Sequence, residues 1–303
     1  MSPHDDPRTP PAWSPSGAGD PIEAVRRRLQ QSIRHFLVGP ATPVRDLSAD
    51  VRGDPGYFGP GSITWRVHAD ASMLVGGLRS LLLQTMHPLA MAGVADHSGY
   101  RDDPTGRLWR TAAYVGTVTF GTKAEARKAV ARVRKVHTRV QGTYRGQPYA
   151  ANDPHLLLWV QHTLVDSFLV TYQRLSATPL TPAEADRYVA EQATVARLFG
   201  AEPAATSVAE LRQWFDAVRP ELHAGSSARD AVRFLLMPPL ELAMRGPYSV
   251  IAAAAVGSLP WWVRWDLRLP ILPVTDLVAV RPMAKALTRG IGWALSAPAA
   301  AAP

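Results

Sequence analysis

Six helix openings punctuate this chain, and they constrain its fold more than any other feature. Asp20-Pro21, Asp103-Pro104 and Asp153-Pro154 each set a capping carboxylate before a proline. The fixed φ of proline suits the first helical position, where no N–H is needed. Thr122-Lys-Ala-Glu125, Thr181-Pro-Ala-Glu184 and Ser207-Val-Ala-Glu210 read as capping boxes, in which hydroxyl and carboxylate exchange bonds with the first backbone N–H groups. Alternating runs of the strand type do not recur. The chain is therefore read as all-α: one multi-helix domain over residues 20–296, with roughly nine to eleven helices. A polar, Pro/Gly-rich tail (1–19) is expected to be disordered, and a flexible tail (297–303) follows.

Apolar spacing places the helices. Ile22, Val25, Leu29, Ile33 and Phe36 follow the first cap, and residues 39–62 read as loop. A helix is expected over Ile63–Met86, ending at His87-Pro88 because the residue before proline avoids the helical region. His97 and Tyr100 then fall in a loop. Helices follow over Pro104–Phe120 with Gly121 as the stop, from Thr122 to about Gln141 with Gly142 as the stop, and from Asp153 to about Leu175. A further one ends at Gly200. From Ser226 onward the chain is apolar and interrupted by prolines, which suggests short helices.

Composition excludes several functions. There is no cysteine among the 303 residues, so disulfides, Cys-bound zinc, iron–sulfur clusters and thiol nucleophiles are ruled out. The net charge of +8 is spread without a Lys/Arg block, and no nucleic-acid partner is expected. The N-terminus lacks a basic segment followed by an apolar run, and the longest apolar stretch, Val250–Leu259, falls short of the ~18–20 residues of a membrane span. The expectation is a soluble, cytoplasmic protein with room for peripheral membrane contact. Glu-x-x-His, His-Glu-x-x-His, phosphate-loop, dinucleotide and nucleophile-elbow motifs are all missing.

Nine histidines remain as metal ligands or acid–base groups. His137 continues the apolar stripe Ala126, Val130, Val133 and Val140, so it faces inward. A core histidine bonded to a backbone carbonyl and a metal ligand both fit that position. His162 shares a face with Leu158, Val165 and Leu169, and Asp166 stands one turn on as a candidate partner. His155 lies two turns before His162. His87 ends an apolar helix, where it suits the helix dipole. Arg107, Arg110 and Thr111 share one helical face, either meeting an acidic or oxygen-bearing ligand or facing solvent.

Five segments in order carry a resemblance: Leu82-Leu-Gln-Thr-Met-His-Pro88, Arg107-Leu-Trp-Arg-Thr111, Val118-Thr-Phe-Gly121, Val133-Arg-Lys-Val-His137 with Val140-Gln-Gly142, and Ala151-Asn-Asp-Pro154 with Leu158–Asp166. Over residues 55–290 the chain resembles the MpaB-type oxygenases, the family that includes the latex-clearing rubber oxygenases, in its uncharacterised bacterial branch. The resemblance implies a globin-like core around one non-covalent haem b, with iron ligated by His137. It also implies a distal cluster of Arg107, Arg110 and Thr111, and places His87 and His162 near the haem. The rubber oxygenases carry Lys where this chain has Arg110. Arginine is a poor iron ligand, so an open or water-bound sixth position is implied.

The resulting expectation is a haem-b-dependent oxygenase acting on an apolar or aromatic small molecule with O2 or peroxide. Any reductant would come from an external donor, since no flavin or iron–sulfur motif is present. A non-catalytic helical haem or lipid carrier, and a non-haem metal enzyme using His155, His162 and Asp166, are the alternatives.

Overall fold

The computed structural model describes residues 53–99 and 104–295; the tails 1–19 and 297–303, and the helix expected after Asp20-Pro21, lie outside them. Among the described residues, twelve helices of six residues or more and one small β-hairpin follow in order. They are α1 (Ile63–His68), α2 (Met73–Gln84), α3 (Pro88–His97), α4 (Pro104–Phe120), α5 (Lys123–His137), β1 (Gln141–Tyr144), β2 (Gln147–Ala150) and α6 (Pro154–Leu175). Then come α7 (Pro182–Phe199), α8 (Val208–Val218), α9 (Ser226–Leu236), α10 (Leu242–Ser258), α11 (Trp261–Asp266) and α12 (Arg281–Leu295). The domain is all-α but for the hairpin.

Local signals set several boundaries. The Asp153 carboxylate accepts from the backbone N–H groups of His155 and Leu156, and Pro154 opens α6. Thr122 and Glu125 complete a capping box on α5, as Thr181 and Glu184 do on α7. Gly200 ends α7 at φ 75°, a left-handed position that glycine takes without a Cβ penalty. The third box forms only by half. Ser207 caps Glu210 N–H, but the Glu210 carboxylate turns back to the Thr206 N–H and hydroxyl.

Helix α6 is apolar nearly all round, and it runs through the middle of the molecule against α2, α7 and α12. Its closest neighbour is α2. A methyl group on Gly76 would stand 2.7 Å from both Phe168 Cδ1 and Thr171 Oγ1, so the absent side chain allows this approach. Val75, Leu78, Leu82 and Trp159 fill the shared core. One charge is buried with them. The Arg79 guanidinium donates to Asp166 Oδ2 at 2.7 Å, Ser167 Oγ at 2.7 Å and the Ser258 carbonyl at 3.2 Å. Arg264 is held in like manner by Asp276 and the Pro270 carbonyl.

Four expectations are corrected. The helix over Ile63–Met86 is broken at Ala69–Ser72, where Asp70 Oδ1 accepts from Ser72 N–H and offers the backbone an alternative to the helix. The expected loop after His87-Pro88 is α3, with His87 as its N-cap and Pro88 at its first position, so His87 opens a helix rather than closing one. His97 is the last residue of α3; Tyr100 lies outside the described residues.

Helix α5 ends at His137 rather than near Gln141, because a hairpin follows. Its two-residue turn, Arg145-Gly146, has φ of 49° and 82°, the primed turn that matches strand twist. Gly142 therefore lies within β1 and is not the helix stop. The C-terminal part also holds two long helices, α10 and α12, rather than only short ones. Pro247 lies within α10. Before α12 the chain passes through a π-helical stretch, Asp276–Val280. Pro282 lacks the N–H and the clearance a regular turn would need there.

Large exposed apolar side chains concentrate in this last part, among them Trp261, Trp265, Val274, Leu277 and Val278. Among the described residues no helix is long and apolar enough to cross a membrane.

Candidate functional site

The α4–α5 hairpin brings the first group of candidates to one level. Only Gly121 and Thr122 separate the two helices, and they pack on each other, so they run antiparallel. Helix α5 rises about 21 Å from Lys123 to His137, at about 1.5 Å per residue. The same distance back along α4 from Phe120 reaches the turn that carries Arg107 and Arg110. Arg110 is exposed and Thr111 half-buried; the side chain of Arg107 lies outside the described positions.

His137 ends α5. The stripe leading to it grades from buried (Ala126, Val130) to half-buried (Val133, His137). The imidazole is thus at the rim of the core rather than at its centre. Its Nδ1 is nonetheless sealed from solvent and makes no hydrogen bond. Burial lowers its pKa, while the Ala151 backbone and the Asn152 side chain oppose that shift from nearby. The hairpin creates this setting. Ala151 N–H donates to the Val140 carbonyl at 2.8 Å, and Asn152 Nδ2 to the Arg134 carbonyl at 3.1 Å. These bonds fold the start of α6 back over the end of α5.

A second group gathers around His155, in the first turn of α6. His87, the α3 N-cap, is 2% exposed, and neither ring nitrogen has a hydrogen bond. Its Nε2 is 3.5 Å from Glu221 Oε2, which accepts from His155 Nε2 at 2.9 Å. Burial lowers the His87 pKa, and the Glu221 carboxylate opposes it.

Two further histidines are held by protein groups. His162 Nε2 accepts from Ala205 N–H at 3.2 Å, its ring meets Trp214 edge-on at 4.4 Å, and burial pulls its pKa down to about 4. Its Nδ1 is buried and makes no hydrogen bond. The expected His162–Asp166 pair does not form, because Asp166 is taken by Arg79. His68 sits between Thr119 and Tyr188, at 2.7 and 3.1 Å, and burial pulls its pKa to about 3.

The motifs on α4, α5 and α6 thus stand on adjoining elements. The family model described as "ER-bound oxygenase mpaB/B'/Rubber oxygenase, catalytic domain" matches residues 65–292, most of the chain. The chain belongs to this MpaB/rubber oxygenase family. Its membership supports an oxygenase role. No curated protein and no solved structure matches the chain.

Within this family domain the structure offers two sets of ligand atoms. His137 could hold a haem through one imidazole: its Nδ1 is turned into the protein with the Ala151 backbone and Asn152 near it, and the second ring nitrogen of such a ligand normally bonds to the protein. His87, His155 and Glu221 form the other set. Glu221 had no sequence signal, since it is an ordinary acid in an Arg-Pro-Glu turn. Arg79 had one: it is the lone charge on the stripe of Val75, Leu78 and Leu82.

Proposed function

We propose that this oxygenase is haem-b-dependent and acts on an apolar or aromatic small molecule, using O2 or peroxide. His137 is the residue that would hold the iron. With Nδ1 turned into the protein beside Ala151 and Asn152, Nε2 is the nitrogen available to a metal. When bound, haem would supply the oxygen-activating chemistry, and the protein the binding, orientation and electrostatics.

The chain's own groups are suited to that division. Arg107 and Arg110, on one turn of α4, would supply positive charge, which favours acidic substituents and polar oxidants. The Thr111 hydroxyl, on the same face, can donate to or accept from an oxygen atom. Val118, Ala126 and Val130 close the hairpin's inner face against water. The chain carries no flavin or iron–sulfur motif, so electrons would come from an external donor or from peroxide itself.

The observation that carries this reading is an imidazole at the end of α5 whose Nδ1 is sealed in the protein, leaving Nε2 for a metal, within a domain of oxygenase family. The test is the absorption spectrum of the full chain expressed with iron and a haem precursor, with a pyridine haemochrome to count haem b. Near one haem per chain is expected, lost in His137→Ala. A protein that stays colourless after haem titration, or a variant with full haem and an unchanged spectrum, overturns the reading.

A further inference from the structure

We propose that His87, His155 and Glu221 bind one divalent first-row transition-metal ion, at a site separate from His137. The three residues come from different elements: the N-cap of α3, the first turn of α6, and the 3-10 turn Arg219–Glu221 after α8. One donor atom from each lies within 4.8 Å of the other two. Ligands about 2.0–2.2 Å from a metal stand about 2.8–3.1 Å apart at right angles and about 3.3–3.6 Å apart at tetrahedral angles. The two edges at Glu221 Oε2 measure 2.9 Å to His155 and 3.5 Å to His87, each within one of those ranges.

A plain surface ion pair explains His155 and Glu221, whose side chains are 44% and 48% exposed. It does not explain His87. That ring is buried, faces the carboxylate, and has no hydrogen bond at either nitrogen. An unsatisfied buried polar group costs about 1–3 kcal/mol. A cation on the neutral imidazole supplies the missing partner. Two imidazoles and one carboxylate suit Zn2+ or Fe2+, and the exposed side, between His155 and Glu221, leaves coordination positions for water or a small ligand.

The test is titration of the full-length chain, stripped with a chelator, with Zn2+ by calorimetry and with Co2+ by visible absorption. The expected result is one ion per chain, with the absorption of a low-coordinate Co2+ centre. His155→Ala and Glu221→Gln change exposed side chains and should fold normally. Each should weaken Zn2+ binding at least about 100-fold, the upper end of what a lost supporting contact alone costs. His137→Ala should bind Zn2+ as the parent does, and the two cluster variants should keep their haem content. Absence of stoichiometric binding, equal affinity in the cluster variants, or loss of haem from them overturns the proposal. The last result would assign the cluster to the haem pocket instead.

Discussion

Arg79 Nη1 lies 2.7 Å from Asp166 Oδ2 across the contact between α2 and α6, with the guanidinium almost wholly buried. This bond gives Asp166 a structural task and frees His162 from it. Removing one partner of a buried pair leaves the other charge uncompensated, at a cost of about 3–5 kcal/mol. Asp166 is partly exposed, and Ser167 and the Ser258 carbonyl still bind Arg79 in its absence. Asp166→Ala should therefore lose about 2–3 kcal/mol of unfolding free energy in urea. A loss under ~0.5 kcal/mol, the size of a change at an ordinary surface position, would contradict this role.

The same contact sets opposite outcomes for adjacent glycines. In Gly76→Ala the new methyl would strike Phe168 and Thr171 and approach the Phe168 backbone at 3.3 Å. Overpacking of this kind costs about 1–3 kcal/mol. Gly77 has nothing within 4 Å of the added carbon. Gly77→Ala gains helix propensity there and should be neutral or stabilising by up to about 1 kcal/mol. Thermal melts of the two variants should move in opposite directions or differ by several degrees.

How far the sequence reveals this fold depends on the range of the force involved. The bounds of α6 were readable because Asp153, Pro154 and an unbroken apolar run act within a few residues of each other. The break at Ala69–Ser72 was hidden, since Leu74 and Leu78 continue the helical rhythm past it while the Asp70 carboxylate stops the backbone. The hairpin was hidden by its brevity: four residues a strand leave little alternation to read, and Arg145-Gly146 is a weaker turn signal than Asn-Gly. His137 was legible as a polar residue on an apolar stripe. Its setting was not, since Ala151 and Asn152 reach it through the hairpin. Glu221 is brought to His87 and His155 by the path of the whole chain, and no local pattern encodes that.

Burial of neutral histidines predicts a specific acid sensitivity. His162 is held to about 4 and His68 to about 3, against an ordinary value of 6.5. Between these values and 6.5 the unfolded chain binds protons that the folded chain refuses. Stability therefore rises with pH across that window, and falls as pH drops from about 6.5 toward 4. Each group can contribute up to about 1.4 kcal/mol per pH unit. Carboxylates such as Glu184, held to about 2 by Thr181 and Arg66, act at lower pH. Urea midpoints measured from pH 8 to pH 4 should stay level at first and then decline below 6.5. His162→Gln should flatten part of that decline, and an unchanged slope would mean that His162 is protonated in the folded state.

The level shared by Arg110 and His137 can be tested without knowing the substrate. On the proposed reading, Arg110 would help to hold small anions such as azide in the haem-loaded chain. A hydrogen bond to a charged group contributes about 1.5–3 kcal/mol, and Arg110 is exposed, so the lower figure applies. In the haem-loaded chain, Arg110→Gln should weaken azide binding about tenfold, read from the shift of the Soret band. Haem content should stay at the parent level, because His137 is untouched. Lys128→Gln, an exposed change on α5 outside the apolar stripe, removes the same charge from the protein. It should alter azide affinity far less, and the difference should persist at high salt, where long-range charge is screened. Equal effects from the two variants would mean that net charge alone governs anion binding, and would remove Arg110 from the site.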